Sequence, residues 1–152
     1  MSGSTKQLVI FTTLLIEKSP QALPLGAACV ASAVKNDALT KDICSVKLMP
    51  FNKEDAEYEK CAASLDSAAS FLAKKIAEQK PAIAAFSVFV WNRLVLEKAA
   101  SILKSRGIIC IAGGPEVTAN PDSFSDFGKY GPQPDCFYDS HAGNRLWRSI
   151  SI

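Results

Sequence analysis

The chain is poor in the residues on which most metal and acid–base sites depend. It has one histidine in 152 residues, so histidine-pair metal sites and most acid–base dyads lack their usual parts. Its five cysteines all lie more than three residues apart, which excludes the close-spaced pairs of zinc, thioredoxin and local iron–sulfur motifs. An odd number of cysteines, without a secretion signal, favours free thiols.

Neither charge nor long apolar runs dominate the sequence. The net charge of +2 is too small to indicate nucleic-acid binding, and Lys and Arg are scattered. The apolar runs fall well short of the roughly 18 residues that span a bilayer. Residues 1–6 have no signal-peptide core and are predicted to be a disordered N-terminus. We therefore expect a cytoplasmic protein with no nucleic-acid or membrane partner.

Common catalytic and phosphate-binding motifs are also missing. The sequence has no Gly-x-Gly-x-x-Gly, Walker or Gly-x-Ser-x-Gly pattern. The acidic residues between Glu54 and Glu59 suit the start and solvent face of a helix, where they complement the helix dipole. No nucleophile or phosphate loop is therefore predicted.

What the sequence does contain is a regular alternation of strand-like and helical segments. Short apolar runs predict strands, and stripes of apolar residues three and four apart predict the helices between them. The predicted strands are 7–16, 43–49, 82–90 and 108–112, and the predicted helices are about 25–35, 52–79 (with Asn52 as a candidate cap) and 92–105. After Glu116 the pattern weakens, although 135–138 suits a short fifth strand and 144–150 a short final helix.

This alternation implies right-handed βαβ units. We predict an α/β three-layer αβα sandwich, Rossmann-like or flavodoxin-like, with a parallel sheet of strand order 2-1-3-4, extended to 2-1-3-4-5 by the fifth strand. Residues 7–128 are expected to form this domain. Residues 129–152 are expected to be a degenerate or truncated C-terminal segment.

Two strand ends hold the best candidate binding residues, because open parallel sheets bind ligands at the carboxyl ends of their strands. The strand at 108–112 runs into Gly113-Gly114-Pro115-Glu116, which is either a ligand loop or a tight strand-to-helix connection. The strand at 82–90 contains Ser87 and leads to Trp91-Asn92. Trp91 is either a core residue or a ligand contact, and Asn92 is either a helix cap or a ligand contact.

The loop after the first strand adds Pro24-Leu25-Gly26. Pro24 suits the first turn of a helix. Gly26 early in that helix gives up as much as about 1 kcal/mol of helix propensity relative to Ala. Such a cost indicates either close packing or close approach of a ligand, and the sequence alone favours packing.

In their order along the chain, these segments resemble the N-terminal cobalamin (B12)-binding domain of B12-dependent radical S-adenosylmethionine (SAM) proteins. The resemblance rests on Pro24-Leu25-Gly26, on Phe86–Asn92, and on Gly113–Val117 followed by Pro121, and it covers about residues 7–125. It implies a domain that holds cobalamin over the carboxyl ends of its strands. The cofactor-binding residues that it implies are Pro24, Leu25 and Gly26 in the first loop, Ser87, Trp91 and Asn92 in the third, and Gly113, Gly114, Pro115 and Glu116 near the corrin or its nucleotide tail.

The chain departs from that family in two ways. It has no Cys-x3-Cys-x2-Cys motif, so we expect no iron–sulfur cluster and no catalysis by this chain alone. The resemblance implies a radical SAM domain as partner, in cis or in trans, for methyl transfer or radical chemistry. In addition, the segment 135–143 lacks the Gly-Glu-Gly-Glu-like turn that normally follows the fifth strand.

The lone histidine does not supply a cobalt ligand in this interpretation. His141 lies in Asp139-Ser140-His141-Ala142-Gly143, which differs from the cobalt-ligating Asp-x-His-x-x-Gly motif in glycine spacing and in position along the chain. We expect it in a surface loop, and many members of the family lack this ligand. Two alternatives stay open: a flavodoxin-like regulatory or interaction module that binds no cobalamin, and a small nucleotide-dependent enzyme, which the missing phosphate loop disfavours.

Overall fold

The structure, a computed structural model, describes residues 5–124 and alternates short strands with helices. The strands are β1 (Gln7–Thr12), β2 (Leu14–Leu15), β3 (Cys44–Leu48), β4 (Phe51–Asn52), β5 (Ile83–Ser87) and β6 (Ile109–Gly113). The helices are α1 (Leu25–Asn36), α2 (Ala56–Cys61), α3 (Leu65–Glu78), α4 (Arg93–Ser105) and α5 (Pro115–Ala119), followed by a 3-10 helix at Pro121–Phe124. The predicted fifth strand at 135–138, the final helix at 144–150 and His141 lie outside the described residues.

A parallel sheet of four strands, in the order β3-β1-β5-β6, forms the centre of this region. Strand β1 pairs with β3 on one side and β5 on the other, and β5 pairs with β6. In order along the chain these are the four predicted strands, so the predicted order 2-1-3-4 and the Rossmann-like or flavodoxin-like α/β class are confirmed. The sequential strands are joined by helices, as parallel pairing requires.

The two faces of the sheet receive alternate residues, because side chains along a strand point to opposite sides. Ile10 and Phe86 belong to a core that includes buried residues of α3 and α4. Val9, Phe11 and Ile83 belong to a second core with residues of α1. The sheet is therefore covered by helices on both faces, which explains why its strands read as nearly continuous apolar runs.

The prediction of one continuous strand at 7–16 is wrong, because two strands, β1 and β2, lie there. The chain leaves the main sheet at Thr13, and β2 then pairs with β4 in a separate two-stranded parallel sheet. This small sheet lies beyond the carboxyl ends of β1 and β3 along the chain. The predicted strand at 82–90 is also too long, because β5 ends at Ser87 and the following residues turn into α4.

The predicted helix at 52–79 is two helices, α2 and α3, separated by residues 62–64. The second helix starts anew at Ser64, whose side chain accepts a hydrogen bond from the backbone N–H of Ser67, while the Ser67 hydroxyl accepts one from the N–H of Ser64. This reciprocal capping box satisfies two donors at the helix start. The predicted cap Asn52 lies in β4 instead, and Asp55 occupies the N-cap position of α2.

The longest described helix, α3, has 14 residues. Among residues 5–124, no helix is long and apolar enough to cross a membrane.

Candidate functional site

Three loops meet at the carboxyl edge of the sheet: the loop from β2 to α1, the loop from β5 to α4, and the turn from β6 to α5. Two crevices open between them. We call the larger one the sheet crevice, because part of the sheet face forms its floor, and the smaller one the rim crevice, because loops form most of its walls. Gly26, Ser87 and Phe89 line both, so the two crevices meet at these residues.

The sheet crevice has a volume of about 590 Å³. Its floor is the face of β1, β5 and β6 that α1 does not fully cover, and the lining there includes the buried Phe11 and the partly buried Ala85 and Ile111. One wall comes from the first turns of α1 and the other from the β6–α5 turn and α5. Among the described residues, no charged side chain lines it. A volume in this range with mostly apolar walls is typical of small-molecule sites.

The rim crevice has a volume of about 400 Å³ and lies over the ends of β1 and β2. Its edge carries large apolar side chains that remain open to solvent: Ile16 is 50%, Leu23 and Leu25 are each 67%, and Trp91 is 45% exposed. The Trp91 ring stacks on Phe89, with ring centroids 4.6 Å apart and planes 10° apart. Because Phe89 lines both crevices, this stack stands at their boundary.

Gly26 is a glycine that neither packing nor backbone conformation explains. It occupies the second position of α1 and its backbone is not in the left-handed region. A Cβ built on Gly26 would meet no described atom within 4 Å outside its chain neighbours and its own helix backbone. The packing interpretation favoured by the sequence is therefore wrong. The absent side chain leaves open space at the junction of the two crevices instead.

Gly114 has the opposite explanation, because the protein itself needs it to be glycine. Its φ is +110°, and a Cβ there would lie 2.7 Å from the carbonyl oxygen of Val88. The Val88 N–H donates to the carbonyl of Gly113 at 2.7 Å, so the β5–α4 loop and the β6–α5 turn are in direct backbone contact. The conformation and the close approach both exclude a side chain.

Glu116 points away from both crevices. One of its carboxylate oxygens accepts a hydrogen bond from Arg93 Nη1 at 3.1 Å, while Arg93 Nε donates to Glu97 at 2.8 Å. The hydrogen bond to Glu97 is the main cause that raises the pKa of Arg93. The Arg93 guanidinium also lies 4.5 Å from the centroid of the Phe124 ring. This cluster joins α4, α5 and the 3-10 helix.

Asn92 is completely buried, and it contacts protein groups on every side. It occupies the N-cap position of α4, but its side chain does not cap that helix, so the predicted capping bond is absent. Its side chain instead bonds to the loops that follow β1 and β5, through Thr13, Leu14, Ser87 and Phe89.

The structure brings most of the sequence-predicted residues to the two crevices. Pro24, Leu25 and Trp91 line the rim crevice, Gly113, Gly114 and Pro115 line the sheet crevice, Gly26 and Ser87 line both, and Asn92 and Glu116 line neither. Sequence reasoning missed Phe89 and Thr13. The signal for Thr13 was a polar residue directly after a buried strand, at the edge where parallel sheets bind ligands.

The described residues offer no metal-binding cluster of His, Cys, Asp or Glu. Cys110 is buried in β6, and loss of hydration raises the pKa of its thiol to about 12, so it stays protonated and unreactive at neutral pH. The described lining of the two crevices therefore consists of apolar surface, glycine backbone, neutral polar groups and one carboxylate, that of Glu17.

Together, the sheet order and the helices on both faces define an α/β protein of the Rossmann-like or flavodoxin-like class. No protein-family model matches the chain, and a search of curated proteins finds no significant match.

Proposed function

We propose that this chain is a cobalamin-binding domain that holds the cofactor at the carboxyl edge of its sheet. Gly26 is the observation that carries the proposal. Among residues 5–124, neither packing nor backbone conformation explains a glycine at this helix position, and its missing side chain opens the point where both crevices meet. A large ligand that extends from one crevice into the other would need the space that Gly26 leaves open.

The shapes of the crevices support a ligand with two unequal parts. Cobalamin has a broad corrin ring edged by neutral amides and a nucleotide tail that ends in a flat aromatic base. The exposed apolar edge of the rim crevice suits one side of the ring, and the larger sheet crevice suits the tail. Apolar walls with a few neutral polar groups are the usual composition of such sites.

The charges near the site support the same choice. Within the part of the chain that the structure describes, the sheet crevice has no charged lining residue, and the one charged residue that lines the rim crevice is Glu17. Arg93 is held by two carboxylates on the far side of the turn. A nucleotide with several phosphates is usually held by a cationic side chain together with a helix N-terminus, and no Lys or Arg is among the described lining residues. The alternative of a nucleotide-dependent enzyme is therefore disfavoured.

In a longer protein or a complex, the bound cobalamin would supply methyl transfer or assist radical chemistry, and a radical SAM domain in cis or in trans would be its partner. The residues of this chain would bind the cofactor, orient it and exclude water from its tail. The described residues that line the crevices include no His, Cys or Lys, and their only carboxyl group is that of Glu17.

The direct test is retention of the cofactor. Purified protein is mixed with hydroxocobalamin, desalted, and measured for corrin absorbance, with titration calorimetry for affinity. We expect retention close to one cofactor per chain. Gly26→Leu should weaken binding at least tenfold, because the new side chain fills the junction, whereas Cys29→Leu should not. Cys29 is exposed on the same helix and lines neither crevice. Absence of corrin from the desalted wild-type protein would refute the proposal.

A second candidate is a flavodoxin-like interaction module that binds no cobalamin. The observation that favours it is that Val90 and Leu94, which are 73% and 63% exposed, line neither crevice. Exposed apolar groups beyond the site suit a protein partner. A chain that retains no corrin but self-associates in sedimentation, and loses this association in Val90→Asp/Leu94→Asp, would favour this function.

A further inference from the structure

A buried polar cluster lies beneath the two crevices, where the chain leaves β1 and β5. It consists of Thr13 and Asn92, which are 1% and 0% exposed, and the backbone groups around them. Buried polar side chains are destabilising unless every group finds a hydrogen-bond partner. Among the described residues, no buried side-chain nitrogen or oxygen lacks a partner.

The donors and acceptors of this cluster can be assigned in one consistent way. The Thr13 hydroxyl donates to the carbonyl of Ser87 at 2.8 Å, which leaves its oxygen free to accept from Asn92 Nδ2 at 3.1 Å. Asn92 Nδ2 also lies 3.2 Å from the carbonyl oxygen of Leu14 and 3.4 Å from that of Ser87. The amide nitrogen of Asn92 thus faces three oxygen acceptors and must be a donor.

The other end of the same amide faces the opposite requirement. Asn92 Oδ1 accepts a hydrogen bond from the backbone N–H of Phe89 at 2.8 Å. Only a side chain with a donor and an acceptor at this spacing satisfies both sets of groups. One amide therefore fixes the end of β1 relative to the loop that carries Phe89 and Trp91.

We propose that Asn92 is a positioning residue, which acts on the binding site through Phe89 and Trp91 and not by contact with a ligand. By holding the Phe89 N–H, it sets the Phe89–Trp91 stack that separates the sheet crevice from the rim crevice. Thr13 is its necessary partner, because its hydroxyl orients the amide. The consequence for cobalamin affinity rests on the proposed function, whereas the positioning of the loop does not.

Two near-isosteric variants test the hydrogen bonds of Asn92 and those of the Thr13 hydroxyl separately. Asn92→Asp keeps an acceptor for the Phe89 N–H but turns the donor end into an oxygen that faces two carbonyls. Thr13→Val removes the hydroxyl and keeps the shape. Asn36→Asp, at the opposite end of α1 from Gly26 and exposed, is the control for the change of charge.

The first readout needs no ligand. In a Trp147→Phe background, the fluorescence and near-ultraviolet circular dichroism of Trp91 report the ring stack, and hydrogen exchange reports the Phe89 amide. We expect Asn92→Asp and Thr13→Val to change the Trp91 spectra and speed Phe89 exchange, while the melting of far-ultraviolet circular dichroism stays cooperative. Asn36→Asp should match the parent protein. Spectra and exchange that are identical in all four proteins would overturn the positioning role.

The second readout is hydroxocobalamin affinity, which we expect to fall roughly tenfold in Asn92→Asp, in line with loss of a buried hydrogen bond. If the parent protein binds no cobalamin, the proposed function fails, and the spectra and exchange rates still decide the positioning role. If the parent protein binds and both variants bind equally well with altered spectra, Asn92 sets the stack but the stack does not serve the ligand, which overturns the binding part of this proposal.

Discussion

The strands present apolar residues on both faces of the sheet, but the helices cover the two faces to different extents. On one face, α3 and α4 pack over the sheet and bury a large core that includes Leu72, Leu96 and Phe86. On the other face, α1 packs over β1 and β3, while Ala85 and Ile111 remain partly open at the floor of the sheet crevice. The comparison teaches that the position of the helices, rather than the apolar character of the strands, decides where a binding crevice opens.

The largest expected difference between a covered and an open position is in thiol reactivity. Cys110 lies under α4 with its thiol 3.6 Å from the carbonyl of Ala100, whereas Cys29 is exposed on α1. In variants that keep one cysteine each, Cys29 should react readily with a thiol reagent because it is exposed. Cys110 should react at least about 5,000-fold more slowly, because reaction requires unfolding against about 5 kcal/mol or more.

Ionisation of the Cys110 thiol should also make the free energy of unfolding depend on pH. Its pKa is raised from 9.0 to about 12 in the folded protein. The unfolded chain therefore releases this proton first, so the free energy of unfolding should fall between pH 9 and pH 12 and be unaffected below pH 9. Cys110→Ala should remove that part of the decline. Fast labelling of Cys110 in the native protein at pH 8 would show that this face is not closed.

Truncation of one core residue on each face compares their packing directly. Leu96→Ala should lower the free energy of unfolding by about 2–5 kcal/mol, because Leu96 is fully buried and its loss leaves a cavity. Ile111→Ala should lower it by roughly half as much, because Ile111 is only partly buried. Urea denaturation measures both. Equal losses would mean that the two faces are equally packed.

Substitution of Gly114 and of Gly26 by Ala should change the stability of the fold in opposite directions. Gly114→Ala should destabilise the fold by about 1–3 kcal/mol, because the residue has a φ of +110° and its Cβ would collide with the backbone of Val88. Thermal melting with circular dichroism measures the loss. A Gly114→Ala protein as stable as the wild type would mean that the contact between the two turns is not needed.

Gly26→Ala is the smallest expected effect and has the opposite sign. It should leave stability unchanged or raise it by less than about 1 kcal/mol, because Ala is the better helix former and its Cβ meets no neighbouring atom. The same melting experiment serves. Destabilisation by Gly26→Ala would show that this glycine serves the fold after all, and would remove the main support for ligand approach.

Much of the fold follows from local patterns. The apolar run at 108–112 and the regular stripe before it predict β6 and α4, and α1 begins at Leu25, directly after Pro24, which occupies the N-cap position and not the first turn as predicted. The break at 62–64 was missed because Ser64 and Ser67 give a weaker capping signal than the apolar stripe that continues across them. The split of the first strand at Thr13 was missed because its partner, β4, is far away in sequence.

The candidate site was predictable as a region but not in the roles of its residues. Glycines, Ser87 and Trp91 at strand ends mark the carboxyl edge on sequence alone. The roles of Gly26 and Gly114 were not predictable, because the sequence does not show what surrounds a glycine. The space beside Gly26 is open, whereas the backbone of Val88 fills the space beside Gly114. Asn92 was predicted as a cap or a ligand contact, and no local pattern reveals its bond to Thr13, 79 residues away.

The sequence by itself determined the alternation of strands and helices, the parallel sheet and the edge where three loops meet, because period, turn residues and right-handed crossover are local rules. Only the tertiary structure decided which loop groups face the crevices and which face each other. Those choices depend on contacts between distant parts of the chain, such as Val88 with Gly114 and Asn92 with Thr13, and they arise only when the sheet brings the strand ends together.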